Sequence, residues 1–365
     1  MDIHRGTAAG PGRLKRARAA VITWSNRFAP RTMATLGDGV KRLIVRPLTV
    51  DGNTLDPTLR LAIAMQNLVR AEGLSSGGDP VTCRRRYRDN LLAIDVKPIP
   101  VGGVADLSIP GPAGGIPARH FRPAIDGAAP MLVYFHGGGW VLGDLDAHDR
   151  LYRSICSGAG VHVLAVDYRL APEHPVPAGL EDCYAAYRWA VAHGADLGAE
   201  AGLVAVGGES AGGNLAAVTA RLARDDGIPP TLQLLIYPVT DISSTRRSYE
   251  LFGTRLLLTR RDMEWFGACY LAGSDLAADD PLVSPLLLDD MTGLPRALVV
   301  TAGFDVLRDE GDAYAEAMRA AGVRVDHRRM SSLAHGFVTL TSFGGGSAAG
   351  LAEINSALRA HLCYR

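Results

Sequence analysis

The chain has 365 residues, 47% of them apolar and 21% charged, and its 38 basic and 38 acidic side chains leave no net charge. This length is typical of one large globular domain, or of one domain with an insertion or an arm. The neutral balance argues against nucleic acid as the main partner. The absence of an apolar run of about 18 residues argues against a transmembrane helix.

The first 46 residues form a basic arm, with ten Lys or Arg against Asp2 and Asp38, a net charge of +8. Such an arm suits contact with a membrane surface or an acidic partner, and it equally suits a solvated end without a partner. The apolar segment 19–24 is too short for a secretory signal. We therefore expect a cytoplasmic protein, with membrane association through the arm as an alternative.

The five cysteines are scattered, odd in number and without a C-x-x-C pair, so we expect reduced thiols with no disulfide framework and no metal site. They are Cys83, Cys156, Cys183, Cys269 and Cys363.

Before residue 130 the pattern predicts one helix and one hairpin. Apolar residues at helical spacing predict a helix over 59–69, which Gly73 ends. Residues 74–98, which include three successive arginines, are interpreted as a polar linker. Two β-like segments, 104–109 and 117–123, flank a glycine-rich turn and predict a hairpin.

From residue 131 onward, strands and helices alternate. The predicted strands are 131–135, 161–168, 203–206, 232–237, 297–301 and 323–329, and the predicted helices are 150–159, 178–193, 212–224, 311–321 and 351–362. Residues 243–290 interrupt this rhythm with a helical patch at 263–271, and 344–347 are interpreted as a flexible loop. Apolar strands separated by helices indicate an α/β fold with a mostly parallel sheet covered on both faces. Ligands of such sheets bind beyond the carboxyl ends of the strands.

The strongest catalytic pattern lies at the end of the predicted strand 203–206. The strand, a turn and a helix follow one another, and the turn reads Gly208-Glu209-Ser210-Ala211-Gly212, a match to G-x-S-x-G. A sharp turn projects a serine hydroxyl from the backbone, and small residues at positions 208 and 212 relieve the crowding. We predict Ser210 as a nucleophile.

A second match to the same motif centres on Ser75, in Gly73-Leu74-Ser75-Ser76-Gly77. It follows a helical pattern instead of a strand, and no helix leaves it. We interpret it as a helix stop and a loop.

Three glycines follow the predicted strand 131–135, in His136-Gly137-Gly138-Gly139-Trp140. Successive glycines let a backbone approach a ligand and turn its N–H groups inward, as in an oxyanion hole that also uses the N–H of Ala211. A plain flexible turn is the alternative. We interpret His136 as a structural hydrogen-bonding residue, because in this type of site the base follows the nucleophile.

The nucleophile needs a base and an acid, both placed after it in the chain. Of the three later histidines, His327 lies inside a strand pattern and His361 in a helix, whereas His335 follows the strand 323–329. We predict His335 as the base. Asp305 follows the strand 297–301 and is predicted as the acid, whereas the acids at 309–312 begin a helix, where acids are ordinary caps.

Six segments of the chain, taken in order, resemble the hormone-sensitive-lipase branch of the α/β-hydrolases, especially its bacterial and archaeal carboxylesterases. The resemblance spans roughly residues 100–362, and the segments are 136–140, 167–175, 208–213, 237–238, 302–311 and 335–337. It implies a catalytic domain over 101–365 and a helical cap built from helices within 1–100 and an insertion at about 240–290. Many members have aspartate where this chain has Glu209.

The resemblance also implies roles for individual residues: a triad of Ser210, Asp305 and His335, an oxyanion hole from the N–H groups of Gly138, Gly139 and Ala211, and a supporting turn at His136, Gly137, Gly208 and Gly212.

The expected activity is hydrolysis of small acyl esters, of short to medium chain length, without metal or cofactor. An amidase or peptidase, an interfacial lipase and a non-catalytic binding protein are alternatives, and the presence of His335 disfavours the last. A homodimer is one alternative for the assembly. Candidates to line an acyl pocket, although such aromatics more often belong to a core, are Trp24, Phe28, Trp265, Phe266 and Tyr270.

Overall fold

The computed structural model describes residues 35–69, 73–75, 78–94 and 97–363. Most of the basic arm, with Trp24 and Phe28, therefore lies outside the described residues. None of the helices in the described part of the chain combines the length and the apolar content needed to span a bilayer. All five cysteines are described, and each is free.

The strands of the fold are β1 (Thr49–Val50), β2 (Asn53–Thr54), β3 (Gly103–Gly111), β4 (Gly114–Arg122), β5 (Ala129–Phe135), β6 (His162–Val166), β7 (Ala199–Glu209), β8 (Gln233–Ile236), β9 (Ala297–Phe304) and β10 (Val325–Ala334). β1 and β2 pair as a small hairpin, and the other eight form one sheet in the order β10-β9-β8-β7-β5-β6-β4-β3. The strands from β10 to β6 are parallel, whereas β4 and β3 continue the sheet with antiparallel pairs.

The helices are α1 (Asp38–Ile44), α2 (Pro57–Val69), α3 (Pro80–Ile94), α4 (Asp149–Ile155), α5 (Ala178–His193), α6 (Ala211–Asp225), α7 (Arg247–Phe252), α8 (Arg260–Tyr270), α9 (Arg308–Ala320) and α10 (Gly345–Cys363). Helices pack around the sheet, and every residue of β5, β6, β8 and β9 is buried. Burial on both faces explains why these strands are continuous apolar runs. The predicted α/β class with a mostly parallel sheet is confirmed.

The interpretation of residues 74–98 as a polar linker is wrong, because α3 occupies most of it. The helix buries Cys83, Leu91 and Ile94, and Arg84 is held by distant partners. Arg84 donates to the carbonyl oxygens of Val141 and Ala171 at 2.7 Å and pairs with the Glu173 carboxylate. These contacts join residues far apart in the chain, so the local pattern contains no signal of them.

Several predicted boundaries also differ from the structure, and two of them are larger differences. The loop interpretation of 344–347 is wrong, because α10 begins at Gly345. β10 continues to Ala334 instead of ending at 329, with a register shift between Met330 and Ala334. The shift occurs opposite Gly303, where a β-carbon would lie 2.1 Å from the Ser331 carbonyl oxygen. Glycine at 303 therefore permits the irregular segment that brings His335 to the edge of the sheet.

Asp262 joins α8 to the segment that precedes α3. Its Oδ1 accepts hydrogen bonds from the Ser75 N–H and from Ser75 Oγ, both at 2.9 Å, and its Oδ2 accepts one from Thr259 Oγ1 at 2.6 Å. Asp262 is 1% exposed. Buried hydrogen bonds to a charged acceptor are worth more than neutral ones, so this residue should stabilise the contact between the two segments.

We expect Asp262→Ala to lower the free energy of unfolding by about 2–4 kcal/mol, because several buried donors lose their acceptor. Urea denaturation measures the loss, and limited proteolysis at residues 73–75 shows whether that segment opens. The control is Asp275→Ala at an exposed position, which should change stability by less than about 0.5 kcal/mol. Equal stability of the two variants would contradict the role given to Asp262.

Candidate active site

Ser210 occupies a strained turn between β7 and α6. Its φ of +58° and ψ of −120° lie in a region that residues with a β-carbon rarely adopt. The Ser210 N–H donates to the Ile236 carbonyl at 2.9 Å and its carbonyl accepts from the Asn214 N–H at 3.0 Å. These bonds hold the turn in place, so the hydroxyl projects from the end of the strand.

The turn is close to the end of β5, and glycine is needed on both sides of the serine. A β-carbon at Gly212 would lie 2.0 Å from the Phe135 carbonyl oxygen, and one at Gly208 would lie 2.3 Å from the Gly212 carbonyl oxygen. No side chain fits at those distances. The predicted supporting role of Gly208 and Gly212 therefore has a steric basis in this backbone.

The structure brings Ser210, His335 and Asp305 together. His335 Nε2 lies 3.0 Å from Ser210 Oγ, and His335 Nδ1 lies 2.7 Å from Asp305 Oδ2. The three residues are 8%, 7% and 1% exposed, respectively. Because a carboxylate accepts a hydrogen bond from Nδ1–H, Nε2 is left as the acceptor for the serine hydroxyl. This arrangement can remove a proton from Ser210.

The other histidines after Ser210 are engaged elsewhere. His327 Nε2 lies 3.1 Å from Thr301 Oγ1 and 3.0 Å from Asp312 Oδ1. His361 Nε2 lies 3.1 Å from Asp326 Oδ2. The acids at the start of α9 also have structural partners, since Glu310 accepts from the Thr240 N–H at 2.8 Å.

The glycine loop after β5 forms part of the same cavity as Ser210 and His335. Gly138 and Gly139 have φ values of +119° and +61°, which glycine adopts without strain. A β-carbon at Gly139 would lie 2.2 Å from the Phe266 ring. Side chains are thus excluded where the backbone faces the cavity, and the role of this loop as an oxyanion hole stays a prediction.

His136 has structural contacts. Its Nδ1–H donates to the Gly137 carbonyl at 2.8 Å, and its ring stacks on Tyr168 at a centroid distance of 4.5 Å. Tyr168 Oη donates to the His136 carbonyl at 2.7 Å. Burial lowers the pKa of His136. A neutral, stacked imidazole supports the loop and agrees with the interpretation of this residue as a hydrogen-bonding one.

Glu209 links the nucleophile turn to the glycine loop. It is 2% exposed, and its Oε1 accepts a hydrogen bond of 2.6 Å from the Gly137 N–H. The same oxygen lies 3.3 Å from His148 Nε2. Burial raises the pKa of Glu209 to about 7 and lowers the pKa of His148 to about 3. The sequence pattern left the role of Glu209 open, and His148 belongs to no motif that could have identified it.

Apolar side chains from distant segments line the cavity. Leu91 of α3 and Met263 and Phe266 of α8 face it. Trp265 packs edge-on against Phe266, and Tyr270 stacks on Trp140 at 4.0 Å. Neither Trp265 nor Tyr270 is among the residues that line the cavity. Of the described aromatic candidates for an acyl pocket, Phe266 is therefore the one that lines this cavity.

The sequence and the fold are similar to those of known ester hydrolases. A family model described as the alpha/beta hydrolase fold matches residues 132–339. Carboxylic ester hydrolase LipN of Mycobacterium tuberculosis is 54% identical over 87% of this chain and 86% of its own. Ethyl acetate hydrolase of Pseudomonas putida is 38% identical over 76% and 89%. A solved hyperthermophilic esterase of Pyrobaculum calidifontis superposes with a TM-score of 0.79 at 38% identity, covering 84% of this chain and 98% of that one.

The crowding at Gly212 predicts a large difference between two glycine substitutions. Gly212→Ala should lower the free energy of unfolding by about 1–3 kcal/mol or more, because the added methyl collides with backbone. Gly267→Ala, inside α8 with no atom within 4 Å of the new β-carbon, should instead raise it by about 0.5–1 kcal/mol. Thermal and urea denaturation measure both. A Gly212→Ala variant as stable as the wild type would show that the turn is not as crowded as described.

The raised pKa of Glu209 predicts a pH dependence of stability. The folded protein binds a proton at Glu209 more tightly than the unfolded chain does, so this group's contribution to stability falls as the pH rises from about 4.5 through about 7. Glu209→Gln cannot titrate. The stability of the wild type minus that of the variant should therefore fall by about 2 kcal/mol between pH 5 and pH 8. Urea denaturation across this range measures the difference, and a difference that stays constant or rises would contradict the assignment.

Proposed function

The chain belongs to the hormone-sensitive-lipase branch of the α/β-hydrolase family and is a carboxylic ester hydrolase, and on this premise we propose that Ser210, His335 and Asp305 are its catalytic triad. The observation that carries the proposal is the unbroken line of hydrogen-bond contacts, 3.0 Å from Ser210 Oγ to His335 Nε2 and 2.7 Å from His335 Nδ1 to Asp305 Oδ2. Nucleophile, base and orienting acid need this order of contacts.

In the first half of the reaction, Ser210 Oγ attacks the carbonyl carbon of the ester while His335 Nε2 takes the hydroxyl proton. Asp305 keeps Nδ1 protonated and stabilises the imidazolium that forms. The tetrahedral intermediate then collapses. The bond from the carbonyl carbon to the alcohol oxygen breaks, Nε2–H protonates that oxygen, and the acyl group remains on Ser210.

In the second half, water attacks the acyl-enzyme carbonyl and His335 Nε2 takes a proton from the water. Collapse of the second tetrahedral intermediate breaks the bond to Ser210 Oγ, and the proton on Nε2 returns to the serine. The products are the carboxylic acid and the alcohol, and the enzyme regains its starting state.

The negative oxygen of each intermediate needs donors that are already in place. We assign this role to the N–H groups of Gly138, Gly139 and Ala211. Two features support the assignment: Ala211 begins α6 directly after the nucleophile, and the glycine loop lines the cavity that contains Ser210. A helix N-terminus adds its dipole to the stabilisation. The Glu209 bond to the Gly137 N–H then positions the loop.

The substrates are small-molecule esters, and we propose acyl chains of short to medium length. Apolar walls from α3 and α8 suit an acyl chain, and one relative is named for hydrolysis of ethyl acetate. We further propose that α2, α3 and α8 form a cap over the carboxyl edge of the sheet, since residues from all three line the cavity with Ser210.

The two G-x-S-x-G matches provide a matched test. We expect Ser210→Ala to lower kcat/KM for para-nitrophenyl butyrate by about 1,000-fold or more, because the acyl-enzyme cannot form. The variant should also resist labelling by a para-nitrophenyl alkylphosphonate. Ser75→Ala removes the other candidate serine, whose hydroxyl is bonded to Asp262, and should retain both turnover and labelling. Wild-type turnover in a folded Ser210→Ala variant would overturn the proposed mechanism.

A further inference from the structure

An arginine lies in the wall of the cavity that contains Ser210. Among the described residues that line this cavity, Arg86 is the only lysine or arginine. Arg86 lies on α3, on the same helix face as Asn90 and one residue from Tyr87, and it is half-buried. A cation in the wall of an otherwise largely apolar site needs a partner, either from the protein or from the ligand.

The protein supplies carboxylates to the neighbouring arginines. Arg84 pairs with Glu173, and Arg88 pairs with Asp144 at 2.6 Å and with Asp146. Arg85 is exposed to solvent. These contacts account for the charges on either side of Arg86 along the helix.

Arg86 has a different environment. Its Nη2 donates to the Leu74 carbonyl oxygen at 2.6 Å, and no carboxylate of the described residues lies within ion-pair distance of it. The carboxylate among the lining residues, Glu209, is 2% exposed and accepts from the Gly137 N–H. The guanidinium is thus anchored through one nitrogen to a neutral acceptor and keeps further N–H donors for another group.

We propose that Arg86 binds a carboxylate on the substrate, so that the enzyme favours esters that carry a free carboxylate in addition to the ester bond. Monoesters of dicarboxylic acids and hydroxybenzoic acids that are acylated at the phenol oxygen belong to this class. Arginine is suited to this task, because its planar fork binds a carboxylate through two parallel hydrogen bonds. The apolar surroundings strengthen the attraction relative to open water. This inference rests on the proposed function, because the anion is recognised as part of the ester that Ser210 attacks.

The test compares matched esters on the full-length enzyme. One pair is mono-para-nitrophenyl glutarate and para-nitrophenyl hexanoate, with the carboxylate in the acyl part. The other is para-acetoxybenzoate and para-tolyl acetate, with the carboxylate in the alcohol part. The measured quantity is kcat/KM for the anionic ester divided by that for its neutral partner, and the neutral ester corrects for any general change in the cavity.

Arg86→Gln keeps a donor for Leu74 and removes the charge, and Arg86→Lys keeps the charge without the fork. In at least one pair, we expect the ratio to fall about tenfold in Arg86→Gln, as the loss of a charge-assisted hydrogen bond predicts, and to recover in part in Arg86→Lys. Arg85→Gln removes the same charge from a neighbouring position on the same helix. It should leave the ratio unchanged, because Arg85 is exposed to solvent and does not line the cavity. A long-range effect of helix charge would instead lower the ratio in both variants.

Competition experiments on the wild-type enzyme provide a test that does not depend on the folding of any variant. Free glutarate should inhibit hydrolysis of para-nitrophenyl hexanoate more strongly than butyramide does, and added NaCl should weaken this inhibition. A ratio that is equal in the wild type and Arg86→Gln for both pairs, an equal fall in Arg85→Gln, or no inhibition by glutarate would overturn the role of Arg86. Failure of the wild type to cleave even the neutral esters would instead overturn the proposed function.

Discussion

The register between β5 and β7 is the constraint on which the site depends. Phe135 pairs with Gly208 at the ends of the two strands, and the Phe135 carbonyl oxygen would lie 2.0 Å from a β-carbon at Gly212. The chains can leave the sheet this close together only where side chains are absent. As a result, the glycine loop and the strained Ser210 turn lie beside each other, and Glu209 can bond across the gap to the Gly137 N–H at 2.6 Å.

The second half of the site follows from another register. Ala334 of β10 pairs with Phe304 of β9, so the next residues in the two chains, His335 and Asp305, leave the sheet together. The irregular segment of β10 opposite Gly303 supplies the extra length that this pairing requires. The register shift in β10 therefore sets the distance between the His335 imidazole and the Asp305 carboxylate, which are 30 residues apart in the chain.

Much of this arrangement could be predicted from the sequence, because parallel strands are continuous apolar runs and their carboxyl ends carry the motifs. The parallel strands that carry the site and the candidates Ser210, His335 and Asp305 rest on that local information, whereas the order of the strands in the sheet comes from the structure alone. The helix α3 could not be predicted in this way, since Arg84 and Arg88 are stabilised by acids distant in the chain, such as Glu173. The role of His148 could not be predicted for the same reason, since its contact with Glu209 forms only when the end of β7 and the loop before α4 come together.

The central claim is that the glycine loop and the Ser210 turn form one oxyanion site. A crystal structure of the enzyme after reaction with a para-nitrophenyl alkylphosphonate tests this claim most directly, because the phosphonyl group on the serine imitates the tetrahedral intermediate. The account predicts a covalent bond from phosphorus to Ser210 Oγ, with the phosphonyl oxygen about 2.7–3.1 Å from the backbone nitrogens of Gly138, Gly139 and Ala211. Phosphorus on another residue, or an oxygen directed away from these nitrogens, would contradict it.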